Sequence, residues 1–381
     1  MEYLRGLAIL AVVAVHTSMY FVLIPGVTLL SAANLLVYIT AHVAVPLFLC
    51  ISGCVLALHY SGEYSVASFY QRRMQTILLP YIIFSLLYML VPAGTPAVFG
   101  QWAIPSPEEA VFNLLTGSGY YHLWFFLLII QFYLLYPLII ALYDAYAAEV
   151  RQEHIVAAAL IVQILWSAGA HAGGAVFGQI WYALLIRVFL SHIFYFTLGI
   201  YAARHYGAIA SVVRAIQGRA ILALALAATA GISLLWVPAF INAGSFDAIP
   251  PSVFIIQRIV EPFYYLLLFI LLYAAAGLLA QSTHAVPLFL QTLGDRSYGV
   301  YLVHAFVTTM IIMALGSLGV GWGDWIFYPV LFVSVVAVST AGVGLLRRLP
   351  HGDLVTGSRA RRKEAVPGAA GALRQESAPD R

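Results

Sequence analysis

Two residues in the first apolar run of the chain are of types that do chemistry: Arg5 and His16, within LRGLAILAVVAVHTSMYFVL at residues 4–23. Eleven residues along a helix make three turns plus about 20°, so both side chains lie on one face, about 16 Å apart along the axis. An ionisable group within a membrane-length helix costs on the order of 3 kcal/mol on insertion scales, a cost that a plain anchor avoids with Leu or Val. A fixed guanidinium at the mouth of such a helix suits a phosphate-bearing molecule arriving from the cytosol. An imidazole half a bilayer deeper suits proton transfer or nucleophilic attack. The same pattern also arises from an Arg that marks the inside and a His that hydrogen-bonds a neighbouring helix.

Further polar groups interrupt later apolar runs. Arg258 and Glu261 are three residues apart, close enough on a helix to pair, and Arg187 stands without an obvious local partner. These charges suit either an acceptor cavity open to the outside or an ion-pair network that locks helices together. His192 and His304 fall within apolar runs, and Ser297 precedes His304 by seven residues on the same helical face. All three are candidates to line a cavity. His122 and Trp124, beside Tyr120 and Tyr121, head another run, where aromatic faces suit sugar stacking or an interfacial belt. His42 and His171, near outer helix ends, read as interfacial, and Cys50 and Cys54 as small core residues. No carboxylate–histidine cluster has metal spacing, and there is no phosphate-binding glycine loop or nucleophile elbow.

The elements that must position these groups are membrane helices. The chain is 63% hydrophobic and 9% charged, with mean hydropathy +0.94, against about 25% charged residues in a soluble domain. The expected fold class is an all-α integral membrane protein with a lipid bilayer as its surroundings. Apolar runs of about 17–25 residues start near Leu4, Leu36, Thr76, Leu123, Ile155, Ile180, Ala220, Pro251, Tyr298 and Trp325. Arg5, Arg72, Arg73, Arg151, Arg204, Arg214, Arg219, Arg296, Arg347 and Arg348 all fall on one side of the resulting ten-helix topology, and the intervening loops on the other side carry no Lys or Arg. The positive-inside rule then puts both termini in the cytoplasm. The formal net charge of +3 reports topology and does not point to nucleic acid. No cleavable signal peptide is expected, because the first run is long and lacks an A-x-A-like exit. Residues 1–348 form the expected ten-helix domain, and 349–381, rich in Arg, Ala, Gly, Pro and Glu, a disordered basic cytoplasmic tail.

Arg, ten residues, then His in the first span resembles the membrane-bound acyltransferase-3 family, which includes bacterial surface-polysaccharide O-acetyltransferases. VAVPLFLCISGCVLAL resembles the family's second helix, with its Ser-Gly step at Ser52 and Gly53. FYQRRMQTILLPY resembles the basic entry to its third helix, and YHLWFFLLIIQFYLLYPLI and LGDRSYGVYLVHAF its fourth and ninth. The resemblance spans Glu2 to about Arg348. It implies transfer of an acyl group, usually acetyl, from cytosolic acyl-coenzyme A to a hydroxyl-bearing acceptor. It also implies that His16 is catalytic, that Arg5 is its essential companion, and that Ser52 belongs to the cavity lining. The family often carries Arg-x-x-Arg at the third helix to hold the coenzyme's phosphates. Here Thr76 stands three positions after Arg73, so the adjacent pair Arg72 and Arg73 is left for that role or for marking topology. With no hydrolase-like domain after the tenth span, the chain resembles the stand-alone class.

The expected activity is therefore that of an O-acyltransferase of the cytoplasmic membrane, with acyl-coenzyme A (acetyl-coenzyme A by the family's habit) as donor substrate and no tightly bound cofactor. The acceptor would be a cell-surface glycan, a lipid-linked sugar or a small hydroxyl-bearing molecule of the cell envelope. A multi-pass exporter of a glycan, lipid-linked sugar or organic acid is the rival reading. Against it stand the lack of internal repeats and of an intramembrane carboxylate relay beyond Glu261.

Overall fold

The computed structural model describes residues 1–60, 62, 64–90, 105–215, 218–281, 284–352 and 356. Residues 91–104, part of an expected loop, and nearly all of the expected tail lie outside these. The described residues form helices joined by turns and short loops, with no strand among them. Among the described residues, eight helices are long and apolar enough to cross a membrane: Glu2–Leu23, Leu29–His59, Trp124–Ala147, Gln152–Gly174, Arg219–Ala243, Pro251–Leu279, Ala285–Ser317 and Phe327–Leu346. The chain is a multi-pass membrane protein.

These eight correspond to eight of the ten expected runs. The other two are broken helices. The run from Thr76 folds as Val66–Arg73, a π-helical turn Met74–Leu78 and Leu79–Met89. Pro80 cannot donate a backbone hydrogen bond, and the wider π turn directly before it accommodates the missing N–H. The run from Ile180 is divided into Gln179–Leu185, a 3₁₀ turn Phe189–His192 and Ile193–Arg204. Hydropathy reads composition and is blind to such breaks.

Three helices position the candidate site: α1 (Glu2–Ser18), α2 (Leu29–Ala41) and α3 (Ala44–His59) open the chain, and α1 packs mainly against the long helix Ala285–Ser317. Lipid tails are as apolar as Leu side chains, so close backbone approach, not hydrophobic burial, holds such pairs together. A Cβ on Gly6 of α1 would run into the backbone carbonyl of Leu290, and one on Gly294 into that of Glu2. A second crossing of this kind joins α3 to Ile193–Arg204, where Gly53 faces the carbonyl of Phe196 and Gly199 that of Cys50. Gly6 to His16 and Gly294 to His304 are both steps of ten residues. The two helices therefore run parallel and bring the two imidazoles to the same level, with ring centres 5.2 Å apart.

Outward faces are aliphatic. On Trp124–Ala147, Leu134, Leu138 and Leu142 are exposed at four-residue intervals, while Phe132, Tyr136, Ile140 and Tyr143 are buried. That is a stripe suited to lipid on one side and a packed core on the other. Polar bonds gather at one end of the bundle: Arg204 pairs with Asp144, Tyr143 donates to Gln152 Oε1 at 2.9 Å, and Tyr201 donates to Glu153 Oε1 at 3.1 Å.

Candidate active site

Cavities of about 400 and 410 Å³ lie among the described residues, each within the usual range for small-molecule sites. The first, called the histidine cavity below, is lined by His16, His42, Trp124, His192, Arg258 and Glu261 among others. The second, the arginine cavity, is lined by Arg5, Ser52, Arg73, Asp295, Ser297 and Arg347 among others. Tyr301 lines both. Its hydroxyl donates to the backbone carbonyl of His122 at 2.6 Å, and its ring packs on Phe125 and Phe126 at 5.3 and 5.4 Å between centres. Arg5 and His16 thus share one helix face but open into different chambers, separated by an aromatic partition that α1 does not supply.

In the arginine cavity, Arg5 Nη1 lies 3.3 Å from Glu2 Oε1 in a half-exposed pair, which is weak and leaves most of the guanidinium free for a ligand. Arg73 is held over the rings of Tyr133 and Phe69, 4.9 and 5.4 Å from their centres, and its Nε is buried without a partner among the described residues. Stacking of this kind orients a guanidinium while leaving its edge available. Arg72 points away and is exposed, as its adjacent place on the helix requires; its carbonyl accepts from Thr76 Oγ1 at 2.8 Å. Thr76, three positions after Arg73, lines the arginine cavity. Arg347, from the end of Phe327–Leu346, supplies a third cation there; it bonds Asp295 Oδ2 at 2.5 Å and the Asp295 carbonyl at 2.7 Å. Thr356, the last described residue, is also buried in this wall.

In the histidine cavity, Arg258 Nη1 lies 2.9 Å from Glu261 Oε2, as the three-residue spacing suggested. The pair is neutral as a unit, and Arg258 Nε remains without a partner among the described residues. His192 Nδ1 is likewise buried and unpaired, and its ring lies 6.1 Å from that of Trp124. His42, read from sequence as interfacial, lines this cavity instead, with Nδ1 2.6 Å from the Tyr38 carbonyl oxygen. The short break between α2 and α3 at His42 and Val43 turns it inward; a broken helix leaves no mark in hydropathy.

Other candidates are placed elsewhere. Arg187 does not line the histidine cavity and is not partnerless: Nη1 donates to the Thr116 carbonyl at 2.6 Å and to Ser118 Oγ at 2.7 Å. Those partners are some 70 positions away in sequence, out of reach of a local reading. His122 and His304 are fully buried behind His16 rather than in either cavity wall. Their ring centres are 5.0 Å apart, and that of His16 lies 5.2 Å from His304 and 4.8 Å from Tyr121. Sequence reasoning missed Arg347, read only as a topology marker, and Tyr301. Tyr301 had a signal, since Ser297, Tyr301 and His304 fall at helical spacing on one face.

A family model for an acyltransferase domain matches residues 1–343. The chain belongs to the acyltransferase-3 family. No curated protein and no solved structure matches it. Membership accounts for an acyltransferase built from membrane helices; Arg5 lines one of the two chambers and His16 the other.

Proposed function

We propose that this acyltransferase-3 protein is an O-acyltransferase of the cytoplasmic membrane. On this reading the arginine cavity opens to the cytosol and takes the phosphates of an acyl-coenzyme A, acetyl-coenzyme A by the family's habit, on Arg5, Arg73 and Arg347. The acyl thioester reaches past Tyr301 to His16. The acceptor, a hydroxyl of a cell-surface glycan or related molecule, enters the histidine cavity from the outer side and lies against Arg258, Glu261 and Trp124. Both termini and the tail are cytoplasmic. The observation that carries this reading is the pair of chambers meeting at one residue, with cations in one and the imidazole in the other.

His16 acts by one of two routes. As a general base, its ring nitrogen takes the hydroxyl proton as the acceptor oxygen attacks the thioester carbonyl; the C–S bond breaks and the proton passes to the departing sulfur. As a nucleophile, it accepts the acyl group itself and hands it to the acceptor. The exporter reading needs a carboxylate free to load and release a proton, and Glu261 is tied to Arg258.

The test is the purified full chain in detergent with carboxyl-labelled acetyl-coenzyme A. Release of coenzyme A, with label recovered as acetate or on the protein, is expected; label on the protein selects the nucleophilic route. An intact, well-folded protein that releases no coenzyme A and takes up no label contradicts the proposal.

A further inference from the structure

Three imidazoles run inward from the wall of the histidine cavity: His16, which lines it, then His304 and His122. Among the described residues no group of three or more His, Cys, Asp or Glu is arranged to hold a metal ion. The hydrogen bonds define what His304 offers. Its Nδ1 lies 2.7 Å from the backbone carbonyl oxygen of Tyr301. A carbonyl only accepts, so Nδ1 carries the hydrogen and Nε2 is a bare lone pair. That Nε2 is buried with no partner among the described residues, and so is Nδ1 of His16, on the ring next to it. A buried acceptor beside a buried nitrogen that can donate is costly while unpaired, and pairing the two satisfies both.

Resting on the acyltransferase reading above, we infer that His304 is the positioning residue for His16. Ring centres 5.2 Å apart are close enough for a turn of the ring to bring His16 Nδ1–H onto His304 Nε2. Holding the hydrogen on Nδ1 leaves Nε2 of His16 as the unprotonated nitrogen for the cavity. The acceptor hydroxyl gives its proton to that Nε2 as its oxygen bonds to the acyl carbon. The resulting imidazolium keeps Nδ1–H on His304, and Nε2–H then protonates the sulfur released as the C–S bond breaks. His304 takes no proton at any stage; it fixes which nitrogen of His16 does. The anchor of this arrangement is the glycine-tight, parallel packing of the two helices, which sets both rings at one level.

The experiment compares acetyl-coenzyme A turnover and thermal midpoint in the purified full chain for wild type, His304→Phe, His304→Gln, His122→Phe and His16→Gln. Phe keeps the ring shape without an acceptor, and kcat is expected to fall on the order of 10²-fold with KM within about twofold and an unchanged midpoint. Gln keeps an acceptor oxygen that binds no proton, and is expected to retain most of the rate. His122→Phe is expected to lose far less than His304→Phe. Wild-type kcat in His304→Phe, equal losses in Phe and Gln variants, or an equal loss in His122→Phe overturns the inference. If wild type releases no coenzyme A, or His16→Gln turns over normally, the acyltransferase reading itself fails and this inference with it. An inactive His16→Gln beside an active His304→Phe removes His304 alone.

Discussion

The two chambers are nearly equal in volume and opposite in chemistry. The arginine cavity collects three guanidinium groups from three separate helical segments, and the carboxylates that meet them, Glu2 and Asp295, sit at half-exposed or exposed positions. The histidine cavity has one guanidinium, and a carboxylate one helical turn away neutralises it. Three cations against two carboxylates fit a polyanionic ligand, although Arg347 is closely paired with Asp295, and a balanced, aromatic and imidazole-rich wall fits a neutral polar one. On the proposed reading, the pairing of the arginines, as well as their number, separates a charged donor from an uncharged acceptor.

The largest expected effect that breaks this contrast is at Glu261. Glu261→Gln leaves Arg258 uncompensated in a wall where Glu261 is only 7% exposed. Removing one partner of a buried pair costs several kcal/mol, and partial exposure of Arg258 brings that down to about 2–3 kcal/mol. A lowered thermal midpoint in detergent is expected. The double substitution Arg258→Gln and Glu261→Gln should recover much of it, because the orphaned charge is gone. A Glu261→Gln variant as stable as wild type would mean that the two cavities are not distinguished by charge pairing.

Next in size is the donor side. Arg73→Gln is expected to raise KM for acetyl-coenzyme A about tenfold at little change in kcat, as loss of ground-state binding does. Arg72→Gln, one residue away but pointing outside, should change KM less than twofold. Steady-state kinetics of the two variants side by side checks this, and equal KM values would remove Arg73 from the donor site. The smallest effect concerns the tail. Truncation after residue 357 removes nothing that the structure places in the cavity. Deletion from His351 onward also removes Thr356 from the arginine wall and should raise KM roughly two- to threefold. No difference between the two truncations would mean that Thr356 only covers the cavity without touching the donor.

Much of this was legible in the sequence where the signal lies within one helix. Arg5 and His16 fall on one face by arithmetic, Arg258 and Glu261 pair at three residues, and Arg72 and Arg73 diverge because neighbours on a helix must. What could not be read depends on one helix meeting another. Tyr301 divides the chambers only because α1 and the helix carrying it cross at Gly6 and Gly294. Arg187 finds its partners at Thr116 and Ser118, and His122 packs on His304 from a distant segment. The π turn at Met74–Leu78 and the interruption at residues 186–188 are hidden for a different reason: hydropathy reads composition, not backbone hydrogen bonding.

The central claim is that His16 carries out acyl transfer, and the rate of His16→Gln measures it most directly. The amide keeps hydrogen-bonding capacity but takes no proton near neutral pH. General acid–base catalysis contributes about 10²–10⁴-fold, so coenzyme A release by the purified variant should fall by at least that range, with an unchanged thermal midpoint and little change in KM. If His16→Gln instead retains most of the wild-type rate, His16 is a hydrogen-bonding link between helices and does no acyl-transfer chemistry.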